Sequence, residues 1–247
     1  MPRRGHSISG LILLVMLGLQ LLALAAALLS SSDVKNGANQ ILEIGRQHPG
    51  PPHMHAMRTT KERIVLDKSE RRFAIVLRSI TMLTTLGGLC YFVWVYRRHA
   101  DLRALGAVNL QFTSAWAVGY HFVPVWNLIR PYQIMREIWH GSDPVAPSPP
   151  DCGPRRVQSS WSIRIWWALA IAGAVIGVYC LFALSSAAAT GPPKNVWRAA
   201  EATLQRAATM QIILTANVSS CLALLGLVWS IERRQAARAA RLSQPSA

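Results

Sequence analysis

The chain has 247 residues, of which 51% are hydrophobic and 15% charged, with a formal net charge of +15. That length covers one ordinary domain or one small helical bundle, and the charge deficit is concentrated in four apolar blocks, which excludes an ordinary water-soluble domain. The basic residues flank those blocks, so the excess positive charge is read as topology control and contact with anionic headgroups rather than as a nucleic-acid surface.

In chain order, Ile8 to Leu29 is the first apolar block. About 20 residues at 1.5 Å rise suffice to cross a bilayer, and this block exceeds the ~7–15 apolar residues of a signal-peptide core, so residues 1–30 are read as a retained transmembrane anchor. Residues 31–72 are polar and expected outside the cytoplasm. Within them, residues 48–57 (HPGPPHMHAM) hold His48, His53 and His55 with Met54 and Met57, side chains that suit copper or zinc. No carboxylate or cysteine completes a ligand set there, so the stretch is read as a Pro-rich linker, with no metal or cofactor expected. The alternating charges of Lys61 to Arg72 predict a helix that runs into the second span.

The membrane domain, 73–231, carries three more spans. The first of these, 73–96, holds Arg78 and closes on Tyr91, Phe92, Trp94 and Tyr96 before Arg97 and Arg98, an aromatic belt followed by a basic stop. Residues 140–160 form a Pro-rich linker. Span 161–186 contains Gly173 and Gly177 at GxxxG spacing, which lets a neighbouring helix approach closely and favours packing within the chain over dimerisation. Span 210–231 is followed by a basic tail, 232–247. With four spans, 14 Lys and Arg fall on one side and 11 on the other. The residues next to the first and last spans decide the orientation: Arg3 and Arg4 before one, four arginines after the other. Both termini are expected in the cytoplasm of an inner-membrane protein. The four cysteines show no CxxC spacing and predict neither a disulfide framework nor a zinc site.

Residues 110–139, LQFTSAWAVGYHFVPVWNLIRPYQIMREIW, are apolar enough to suggest a fifth span. Pro124 and Pro131 each remove a backbone donor, and a fifth span would put the basic tail outside. A re-entrant or interfacial element is expected instead, restarting as a short amphipathic helix over Pro131–Trp139 with Tyr132, Met135 and Trp139 on one face and Arg136 and Glu137 off it. His121, Asn127 and Arg130 gather around the prolines and are the candidates for a lipid-headgroup or anion site.

The run from Trp94 to Pro144 resembles a bacterial membrane family, domain of unknown function 4328. The resemblance rests on Leu105-Gly106, Trp116-Ala117-Val118-Gly119, Phe122-Val123-Pro124, Asn127-Leu128, Arg130-Pro131-Tyr132 and Glu137-Ile138-Trp139. Asp101, Ala115 and His121 depart from the pattern. The resemblance implies a multi-pass membrane protein and carries over no catalytic residue.

The fold class expected is all-α: an integral membrane bundle of four transmembrane helices plus the element at 110–139. No serine-hydrolase, zinc-protease or nucleotide-loop motif is present, and no acidic residue falls inside a span, as a proton-coupled pump would require. The leading functional reading is a non-enzymatic scaffold or sensor. A small-solute transporter or channel component is the alternative, and a lipid-handling enzyme the third. Expected partners are the bilayer and its anionic headgroups, with a second copy of the chain or another membrane protein as further candidates.

Overall fold

A computed structural model describes residues 7–47, 60–145, 160–189 and 196–243. The elements are α1 (Ile8–Gln47), α2 (Thr60–Ala104), α3 (Ser114–Gly119), a 3-10 turn (Trp126–Leu128), α4 (Arg130–Gly141), α5 (Trp161–Ala189) and α6 (Val196–Leu242). The protein is all-α among the described residues, and four of its helices, α1, α2, α5 and α6, are long and apolar enough to cross a membrane. At 1.5 Å per residue α1 is about 60 Å long, and α2 and α6 approach ~70 Å, roughly twice the ~30 Å of a hydrocarbon core. Each therefore continues well past its apolar block.

The chain divides into two compact units. One comprises Met1–Leu19, Leu83–Ile171 and Ser220–Ala247. Its core follows a single helical periodicity. On α2, Trp94, Val95, Arg98, His99 and Leu102 are buried, and on α6 Leu227, Val228, Ile231, Glu232, Gln235 and Arg238 are buried. Offsets of one, four, five and eight from the first residue define one face of a 3.6-residue helix. On α6 the face begins apolar and turns polar toward the helix end, whereas on α2 Arg98 and His99 interrupt a face that is apolar again at Leu102.

The second unit comprises Gln20–Met82 and Ala172–Ser219. Leu24, Ala27 and Leu214 form its core, flanked by Phe73, Val76, Leu77 and Val218. Beyond the apolar blocks the helices keep packing. Lys35 Nζ donates to Gln211 Oε1 at 3.0 Å, Gln211 donates to Ser32 at 3.3 Å, and Thr203 donates to Glu70 at 3.2 Å. An added Cβ at Gly37 would meet Leu66, and one at Gly45 would overlap the Trp197 ring. The polar stretch after Leu29 is thus helical as far as Gln47 and laterally packed, because its few apolar positions (Val34, Ala38, Ile41) recur at helical spacing and are buried. The helix expected over Lys61–Arg72 does run without a break into the second span.

Gly173 and Gly177 correct one expectation. A Cβ added at either would meet nothing within 4 Å, so no neighbouring helix seats on the pair among the described residues. Spacing alone permits a close approach without supplying the partner helix.

Candidate functional site

The site is built where α2 leaves its apolar run. The helix ends in a Schellman motif: Gly106 has φ +76, its N–H donates to Arg103 O at 3.1 Å, and Ala107 N donates to Leu102 O at 2.9 Å. Glycine takes that left-handed position without the Cβ clash that another residue would meet. The chain then folds back, and Thr113 caps α3 by accepting from Trp116 N at 3.3 Å. After α3 it passes through a tight three-residue turn at Pro124–Val125–Trp126, where Trp126 N donates to Pro124 O at 2.8 Å. Val125 sits there at φ +68, ψ −51, the rare and strained γ-turn geometry. Helix α4 starts at Arg130 with Pro131 in its first turn, where the missing N–H costs nothing.

The buried face of α4 is Pro131, Ile134, Met135, Ile138 and Gly141, with Glu137 also buried. This face is rotated from the one expected. Met135 lies on it, but Tyr132 and Trp139 are half-buried, and Glu137, read as off the face, is inside. The reason is a partner that periodicity cannot show. Glu137 Oε2 lies 3.0 Å from His99 Nε2, and Glu137 Oε1 accepts from Gln111 N at 2.5 Å. His99 is fully buried, and its Nδ1 lies 3.2 Å from Ser114 Oγ. A carboxylate only accepts, so in the neutral imidazole Nε2 carries the proton and Nδ1 is left to accept from the serine hydroxyl. One histidine on α2 thereby holds the start of α3 and the middle of α4.

A second buried polar cluster joins α1, α2 and α6 a turn away. Glu232 accepts from Trp94 Nε1 at 2.8 Å and from Ser7 N at 3.2 Å, and its Oε1 lies 3.5 Å from Arg98 Nε. Arg98 also donates to Gln235 Oε1 at 2.6 Å and pairs with Asp101 at 3.1 Å. A Cβ at Gly10 would overlap the Glu232 carboxylate, so any side chain there would push that carboxylate out of its hydrogen bonds. The arginines of the expected basic tail are drawn in as well. Arg238 donates to Leu105 O at 3.4 Å and to Asp143 O, Arg241 donates to Pro144 O, and Arg234 pairs with Asp143 at 3.3 Å while lying 4.2 Å over the Trp139 ring. His140 lies beside this group. Burial lowers its pKa, and the neighbouring Arg136 and Arg234 lower it further.

The three headgroup candidates have separate surroundings. Arg130 is enclosed by the rings of Trp126 at 4.4 Å, Tyr120 at 5.4 Å and Phe112 at 5.5 Å, and donates to Gln133 at 3.0 Å. Its Nε is buried without a hydrogen-bond partner. His121 lies 3.3 Å from Tyr91 Oη and packs edge-on against the Tyr91 and Phe92 rings. Asn127 is exposed. His48, His53 and His55 lie outside the described residues, among which no group of three or more His, Cys, Asp or Glu could hold a metal ion.

The sequence alone does not mark His99 or Glu232 as site residues, and it reads Trp94 and Arg98 only as belt and basic stop and Glu137 only as a polar residue off the helix face. The signal available was periodicity: Trp94, Arg98 and Leu102 share one helix face, and Glu232, Gln235 and Arg238 another, so polar residues continued an apolar stripe.

No curated protein and no solved structure matches the chain. The family model described as Domain of unknown function (DUF4328) matches residues 59–193, more than half of the chain, from the start of α2 past the end of α5. With that match over α2, the element at 110–139 and α5, the chain belongs to the family described as Domain of unknown function (DUF4328).

Proposed function

We propose that this multi-pass membrane protein resides in the bacterial inner membrane with both termini in the cytoplasm. Residues 110–139 then form a non-enzymatic scaffold or sensing surface set into the cytoplasmic leaflet. One observation carries this reading: the element is pinned on its inner side and apolar on its outer side. The pins are His99, Glu137 and the Gln111 N–H. On the outer side Val125 is 73% exposed, Phe122 67% and Leu128 59%, with Trp126 and Ile129 near half. A contiguous apolar edge of this kind is unfavourable in water at about 25 cal/mol per Å² and favourable in acyl chains. Arg130, held behind that edge with Nε unpartnered, suits a headgroup phosphate. The transporter alternative has less support, because Arg78, the charge inside span 73–96, is exposed rather than turned into helix packing.

Cysteine labelling tests the reading. In a background with the four native cysteines replaced by alanine, Gln111→Cys and Val145→Cys should both react from the cytoplasmic side only. Labelling of Val145→Cys from the outside would make the segment a fifth span and end the proposal. Trp126 should also be quenched by brominated acyl chains.

A second reading, the lipid-handling enzyme, is favoured by the Ser114–His99–Glu137 chain, in which Nδ1 is poised to take the serine proton for attack on an ester. A fluorophosphonate probe that labels the wild type but not Ser114→Ala would favour it. An unlabelled wild type would favour the scaffold.

A further inference from the structure

The second unit holds a cleft of about 340 Å³ lined by Val34, Glu70, Phe73, Thr203, Arg206 and Met210. Its walls come from three helices at one level. Phe73 opens the apolar run of α2, Met210 opens that of α6, and Val34 lies just past the apolar block of α1. The cleft therefore straddles a boundary between hydrocarbon-suited and water-suited surface. Its apolar side is Val34, Phe73 and Met210, and its polar side carries one anion, Glu70, and one cation, Arg206. The two form no ion pair with each other among the described residues. Glu70 Oε1 accepts from Thr203 Oγ1 at 3.2 Å, and Arg206 is exposed.

We propose that this cleft is a binding site for a glycerophospholipid whose headgroup carries a primary ammonium. The phosphodiester pairs with the Arg206 guanidinium, the ammonium donates to Glu70, and the upper acyl chain lies along Phe73 and Met210. The charge pattern selects among headgroups. A glycerol headgroup leaves Glu70 beside an anionic lipid with nothing to neutralise it. A choline headgroup has the charge but no N–H to donate. An ethanolamine headgroup satisfies both residues at once.

The test uses the full chain in detergent, titrated with phosphatidylethanolamine, phosphatidylcholine and phosphatidylglycerol of identical acyl chains and read by native mass spectrometry. The expected order places phosphatidylethanolamine about tenfold tighter than the other two, the scale of one charge-assisted hydrogen bond. Glu70→Gln should bring phosphatidylethanolamine to within about twofold of phosphatidylcholine, and Arg206→Gln should weaken all three lipids. Equal affinities in the wild type, or an ethanolamine preference that survives Glu70→Gln, would overturn the proposal. If either variant fails to fold, the wild-type headgroup series decides alone.

Discussion

Removing the Glu232 carboxylate is the most direct challenge to the packing described above. Glu232 is 2% exposed and Arg98 8% exposed, so neither reaches solvent for compensation. Glu232→Ala leaves Trp94 Nε1 without its acceptor at 2.8 Å and takes one of the two carboxylates from Arg98. Breaking a buried pair costs about 3–5 kcal/mol, and an orphaned buried donor about 1–3 kcal/mol. The retained Asp101 and Gln235 contacts of Arg98 keep the total near the lower bound, about 4 kcal/mol, or some three decades in the unfolding constant. Glu232→Gln keeps an acceptor for Trp94 and loses only the charge, so about 2 kcal/mol is expected. Arg98→Met with Glu232→Met should recover at least half of the alanine loss, because apolar replacement of both partners removes the stranded charge. Equilibrium unfolding of the full chain in mixed micelles, followed by circular dichroism, measures all three. If Glu232→Ala falls within about 1 kcal/mol of wild type, or Glu232→Gln is as damaging as alanine, the cluster does not hold these helices as argued.

Gly10→Ala should destabilise by about 1–3 kcal/mol, since the carboxylate it strikes is held in place, whereas Gly18→Ala, with nothing within 4 Å, should be neutral or stabilising in the same unfolding assay. The double change Gly173→Leu and Gly177→Leu should shift stability by no more than about 0.5 kcal/mol, as neither glycine has a neighbour to displace. His140 is held neutral by burial and by Arg136 and Arg234, so its folded pKa lies below its unfolded value of about 6.5. The unfolded chain then binds more protons in that window, and stability present above pH ~6.5 is lost as the pH falls through the folded pKa. A pH series of thermal melts should show this slope in the wild type and a shallower one in His140→Gln.

The fold was more legible than the site. Apolar runs mark all four spanning helices, and Pro131 marks the restart of α4, because hydropathy and the missing proline N–H act locally. The sequence marks the starts of α2 (near Lys61) and α5 (Trp161), but not the far ends of α1, α2 and α6. Residues Ser30 to Gln47 read as polar because their buried positions are only one in three or four, and α6 continues to Leu242 with Arg234 paired to Asp143 and with Arg238 and Arg241 donating to backbone carbonyls. The site depends on pairs far apart in sequence, His99 with Glu137 and Trp94 with Glu232. Such pairs have no local signature, only an interruption in an apolar stripe. Arg130, by contrast, stands out from its neighbours, but two of the three rings around it, Phe112 and Tyr120, are brought back only by the turn at Pro124.

That turn bears on which solvent the element was shaped for. Val125 combines a backbone conformation that β-branched residues avoid with a side chain 73% exposed. In water both facts favour glycine or asparagine, which relieve the strain and hide no aliphatic surface. In hydrocarbon the aliphatic side chain becomes an asset, and isopropyl solvation offsets about as much as the backbone loses. The residue therefore works as a built-in partition experiment. Val125→Gly should stabilise the chain in a detergent that leaves the turn wet and should lose that advantage in a bilayer, so the sign change between the two media reports where the turn lies.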